Sequence, residues 1–155
     1  MMLVLGAMVL LSILALNINR ATLFSDEQMA QSEYIIAATA VGQTLISEAA
    51  SKPFDVATVT NEKAPLTSFT APSGLGRLTS EVYPDFNDFD DYHRLTVNVS
   101  TPRAGTFRLS CLVDYVDPAT PNKTSSICTR TKRLRVTVDS DLLETPVNLV
   151  YYKSF

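Results

Sequence analysis

The first 19 residues, Met1 to Asn19, carry no charge, and Met1 to Leu16 (MMLVLGAMVLLSILAL) is apolar almost throughout. A helix that is apolar on every side must be covered on every side. No proline interrupts the chain before Pro53, and only Gly6 and Gly42 weaken it as a helix. One element is therefore predicted over about residues 1–52, roughly 75–80 Å long at 1.5 Å per residue. Of the 155 residues, about 100 remain for a globular part, enough for a modest core but not enough to enclose the apolar half of such a helix. That half belongs in a bilayer, in a bundle of identical helices, or in each at different times. Its uncharged run spans about 28 Å, close to one hydrocarbon core.

Three readings of the N-terminus compete. A secretory signal would have a basic start and a small-residue cleavage site. Here no Lys or Arg precedes the apolar run, and Ala15 to Asn19 cleaves poorly. The second reading is a plain membrane anchor. The third is a chain already processed, its basic leader removed, and the missing basic start favours it. Ser12 can return a hydrogen bond to its own helix, and Gly6, Ala7 and Ala15 let neighbouring helices come close. Asn17, Ile18 and Asn19 are mediocre helix formers placed just before Arg20, the first charge. They mark either a stretched or melted turn in an assembled state or a passage through the headgroup layer.

From Ser25 the pattern turns amphipathic. Tyr34, Ala38, Val41, Leu45 and Ala49 recur at helical spacing, with Ile35 and Ile46 alongside, while most acids and amides lie off that stripe. Lys52 suits the last turn and Pro53 ends the helix. The expected organisation is an apolar half-helix (1–24) and a globular part (25–155). The latter comprises the amphipathic half-helix (25–52), a loop (53–93) and an antiparallel sheet (94–155). The loop is broken by Pro65, Pro72, Gly74 and Gly76, with one short strand expected over Ala57 to Thr60. Strands are expected at Arg94–Ser100, Thr106–Val116, Ser126–Val138 and Pro146–Tyr152. Asp117 to Thr124 (DPATPNKT) reads as a turn-rich connection. The fold class is α+β, a long helix packed on a C-terminal antiparallel sheet.

If the second and third strands turn near Thr120-Pro121, Cys111 and Cys128 face each other within the register of the reading. A disulfide between them would close a loop of about 17 residues and place the domain in an oxidising space. The alternative is two buried free thiols. The densest polar cluster is DFNDFDDYH (Asp85–His93). Asp85, Asp88, Asp90 and Asp91 offer hard oxygens of the kind calcium takes, though not at EF-hand spacing. The plainer reading is a loop pinned by Phe86, Phe89 and Tyr92, whose carboxylates cap turns. No other cofactor is implied. One histidine, His93, and no phosphate-cradling glycine motif argue against an enzyme. A net charge of −3 and a pI near 5.1 leave no basic footprint for nucleic acid. Asn98-Val-Ser100 and Asn122-Lys-Thr124 match the glycosylation sequon.

In layout the chain resembles the type IV pilins and pseudopilins. It shares their apolar half-helix, amphipathic continuation, variable loop, antiparallel sheet and cysteine pair near the C-terminus. As sequence, the likeness lies in about the first 50 residues and the acidic-aromatic segment. The resemblance implies a leader removed by a prepilin peptidase, an N-methylated Met1, and polymerisation through Met1, Met2, Leu3, Leu5, Gly6, Leu10, Leu11 and Leu14. It implies an extracellular filament subunit whose partner is its own copies. Before assembly, the partners are the inner membrane and the pilus assembly machinery. Two departures stand out: Leu5 replaces the family's usual glutamate, and its helix-bending proline is absent. The other readings are a single-span anchored extracellular binding module and a minor pseudopilin of a type II secretion system.

Overall fold

The computed structural model describes residues 2–61 and 63–155, with side chains for all of these except 2–5 and 60. The architecture is α+β. Helix α1 (Met2–Ser51) and the short α2 (Val56–Thr60) are followed by 3-10 turns at Leu66–Ser68, Pro72–Gly74 and Asp90–Tyr92. The strands are β1 (Thr96–Thr101), β2 (Gly105–Asp117), β3 (Thr120–Thr124), β4 (Thr131–Asp139) and β5 (Val147–Ser154).

Along α1, hydroxyls are satisfied one turn back: Ser12 donates to the Met8 carbonyl at 2.9 Å, and Thr22, Ser32, Thr39, Thr44 and Ser47 do the same. The helix runs through Asn17, Ile18 and Asn19 without a break, so the single chain has no melted turn there.

The C-terminal half of α1 lies on one face of the sheet. Ala38, Leu45, Ile46 and Ala49 are buried against Phe107, Leu109, Cys111 and Val113 of β2 and Leu134, Val136 and Val138 of β4. The predicted stripe is thus the packing face, except that Ile35 points outward and is 43% exposed. Gly42 lies at the closest approach. A Cβ there would sit 2.5 Å from Leu149 Cδ1 and 3.1 Å from Val138 Cγ2. The close approach, not chain flexibility, accounts for this glycine.

The sheet order is β1-β2-β4-β5, all antiparallel, with β3 paired to the far end of β2. The alternation read for β2 holds: Phe107, Leu109, Cys111, Val113 and Tyr115 are all buried. Two expectations need correction. Ala57 to Thr60 belongs to a helix, not a strand. Asp55 accepts from the Ala57 N–H and Thr58 bonds back to the Asp55 N–H, a capping box that starts α2. Thr120–Thr124 is a strand, not a turn-rich connection. It folds back on β2 around Pro118-Ala119, so the next long strand starts at Thr131 rather than Ser126.

Gly42→Val should lower stability by about 1–3 kcal/mol through overpacking. Denaturant unfolding of the full chain in detergent, followed by near-UV circular dichroism, measures it.

Candidate functional site

Every residue of α1 from Gly6 to Met29 is exposed, a stretch of about 36 Å. Leu10 and Leu11 are each 70% exposed, and Met8, Val9, Ile13, Leu14, Leu16, Ile18, Leu23, Phe24 and Met29 join them. The helix over Gly6–Ser51 is long and apolar enough to cross a membrane, and none of its most apolar window is buried. Gly6, Leu10, Leu11 and Leu14 lie on this surface, and a Cβ at Gly6 would meet nothing within 4 Å. The side chains of Met2, Leu3 and Leu5, and Met1 entirely, lie outside the described residues. Contiguous apolar surface of this extent is not left to water in a soluble monomer. The globular part first takes hold at Gln31. Its amide, oriented to satisfy both partners, donates to the Leu142 carbonyl (3.1 Å) and accepts from the Glu144 N–H (3.0 Å).

At the base of the rod three lysines fasten the chain where it leaves α1. Lys52 Nζ donates to the Phe86 carbonyl at 2.6 Å. Lys153 Nζ donates to the carbonyls of Ala50 (2.7 Å) and Lys52, placing a cation at the helix C-terminus. Burial and the nearby Lys132 lower the pKa of Lys153. Lys132 is 0% exposed. Its ammonium donates to the Phe54 carbonyl (2.8 Å), Asp55 Oδ2 (3.0 Å) and Asp90 Oδ1 (2.6 Å), so each of its three N–H bonds has an acceptor. The Phe54 and Tyr115 rings flank it at 4.5 and 5.2 Å.

The acidic segment builds this joint. Asp88 accepts from the N–H groups of Val56 (3.0 Å), Asp90 (2.9 Å) and Asp91 (3.3 Å). Asp91 accepts from Asn87 (3.0 Å) and Asp88 (3.3 Å), Asp90 binds Lys132, and Asp85 is exposed. The carboxylates are thus aimed at separate donors. Among the described residues no group of three or more metal-type ligands converges. This corrects the calcium reading of Asp85, Asp88, Asp90 and Asp91. The Phe86, Phe89 and Tyr92 side chains are buried, as the plainer reading expects. Burial, with Asp90 and Asp91 alongside, pushes Asp88 up to about 8. Glu48 of α1 accepts from the hydroxyls of Tyr83 (3.0 Å) and Tyr92 (2.7 Å), tying the same segment to the rod. Burial and that carboxylate raise Tyr83 to about 12. His93 Nδ1 accepts from the Val113 N–H at 3.2 Å, a structural bond, and burial lowers its pKa.

The two cysteines are free, which corrects the expected disulfide. β2 pairs with β4 so that Cys111 faces Val136, because β3 and the loop after it take up the intervening residues. Cys111 lies in the main core under α1. Cys128 precedes β4 and packs on a second cluster of Phe54, Ala64, Phe69 and Tyr115. Burial pushes the Cys111 thiol up to about 12, so it is protonated and inert near neutral pH.

The residues that organise the joint, Lys132, Glu48 and Asp55, carry no motif. A signal for Lys132 was nonetheless present, since it shares the inward parity of Leu134, Val136 and Val138 in TKRLRVTVD. On the outer face Arg133 pairs with Asp114 through Nε (3.1 Å) and Nη2 (2.5 Å) and donates to the Pro121 carbonyl (3.0 Å), which holds β3 down. Compared with known protein families, with curated proteins and with solved structures, the chain matches none.

Lys132→Ala should cost about 3–5 kcal/mol, because it leaves Asp55 and Asp90 buried without their cation; denaturant unfolding measures it. A second expectation concerns acid. Burial opposes ionisation of Asp55 and Asp114. Lys132 with the amides of Thr70 and Ala57 outweighs it for Asp55, and Arg133, Thr124 and Arg135 do so for Asp114, so both lie below 3.8. Their stabilisation is fully present above that value and is lost as the pH falls through the folded-state pKa values. Acid titration of the unfolding midpoint should show this loss, and Asp114→Asn should make it shallower.

Proposed function

We propose that this chain is the structural subunit of an extracellular, type IV pilus-like filament, polymerising through the exposed half of α1. The observation that carries the proposal is the stretch Gly6 to Met29, apolar over most of its length and continuous with a helix clamped rigidly to the sheet. Before assembly this half holds the chain in the membrane with the sheet domain outside. On assembly it leaves lipid for a central bundle of identical helices, so its apolar surface is covered in both states. Copies then stack head to tail, an open heterologous arrangement, with the sheet and the loop from Phe54 to Pro84 outermost.

A single-span anchored binding module would need only a linker after Arg20. Continuation of the helix without a break into the domain, together with three lysines fixing its end, supports a transmitting rod over a tether. A minor pseudopilin of a type II secretion system would use the same helix and differ in copy number.

Leu10→Asp places a carboxylate where the proposal needs apolar contact, at about 2.5–3.5 kcal/mol per residue on insertion scales. It should abolish filaments in cells expressing the assembly machinery. Leu78→Asp, on the loop and 67% exposed in the wild type, should leave them intact. Normal filaments from the Leu10→Asp chain, seen by electron microscopy, would contradict the proposal.

A further inference from the structure

Resting on that reading, we infer that Arg20 of one copy seats in an acidic notch of the next copy, between Glu27 and Glu144, and that this pair sets the axial register of assembly. The helix carries only three charges before Glu33: Arg20, Asp26 and Glu27. All three are exposed, and among the described residues none enters an ion pair. Arg20 has no acid three or four residues away, the spacing that brings helical side chains together. Glu27 lies seven residues on, about 10.5 Å along the axis, too far for a pair within the helix. Moving from headgroups into a bundle, an unpartnered guanidinium would be costly.

A partner surface exists where α1 meets the globular part. A cavity of about 420 Å³ is lined by Phe24, Glu27, Gln28, Gln31, Ser32 and Glu144. The Glu27 and Glu144 carboxylates, the Gln28 amide and the Phe24 ring suit a guanidinium, which takes carboxylates through its fork and stacks on rings. Among the described residues no cation of the same chain is in ion-pair contact with Glu27 or Glu144. Arg20 is the one cation on the exposed half of the helix, so in a parallel array it is the charge a second copy brings to this level. The notch joins helix and β4–β5 loop, whereas Arg20 stands on the bare helix. The two surfaces differ, as a heterologous contact requires. Bringing Arg20 level with Glu27 displaces contacting copies by about seven residues, or 10.5 Å. Asp26 lies about 100° around the helix from Glu27 and does not line the notch.

The test is charge exchange in the full chain, in cells with the assembly machinery, with filament yield scored by electron microscopy. A protease-resistant sheet domain in the membrane fraction confirms folding. Arg20→Glu should lower yield about tenfold or more, the scale of a lost buried pair. Adding Glu27→Arg should restore most of it, and adding Asp26→Arg instead should not. Wild-type yield from Arg20→Glu alone, or rescue by Asp26→Arg but not Glu27→Arg, overturns the notch. Absence of filaments from the wild-type chain defeats the filament reading itself, a separate outcome.

Discussion

The end of α1 is held by lysine ammonium groups, one of them fully buried, and the remaining geometry depends on that joint. A rod exposed over about half its length acts as a lever on whatever anchors it. An apolar contact with the sheet resists sliding poorly, because it is non-directional. Directional bonds from Lys132 and Lys153, with Lys52 reaching the acidic segment, fix the exit of the chain in one place. Lys132 serves three segments at once: the turn after α1, the acidic turn, and β4 on which it sits. A fully buried charge is tolerable only because every donor is met and two carboxylates balance it.

The acidic segment, the most conspicuous cluster in the chain, therefore serves the scaffold. Asp88 and Asp91 bind the amides of a tight turn, Asp90 binds the lysine, and the aromatics between them reach the core. Glu48 adds two tyrosine hydroxyls from the same region. The outcome is a fixed connection between the sheet and a helix whose N-terminal half stands exposed.

Much of this was legible in the chain. A long uncharged run followed by an amphipathic one dictated the helix and its exposed half, since periodicity and the lack of proline are local properties. The inward residues of β2 were readable for the same reason. What was not legible depended on partners distant in sequence. The Cys111 register shifted because β3 forms from TPNKT, whose composition reads as turn. Ala57 to Thr60 became a helix because its cap, Asp55, outweighed the β preference of Val and Thr. The Asp ligand set dissolved because its partners, Lys132 and the Val56 amide, lie far from it along the chain.

The central claim, that the exposed half of α1 is a polymer interface rather than only an anchor, is tested most directly by cryo-electron microscopy. The sample is detergent-free full chain recovered from cells with the assembly machinery. The account predicts uniform helical filaments with α1 in a central bundle and sheet domains outside. Membrane-bound monomers alone, with no filaments from those same cells, would contradict it.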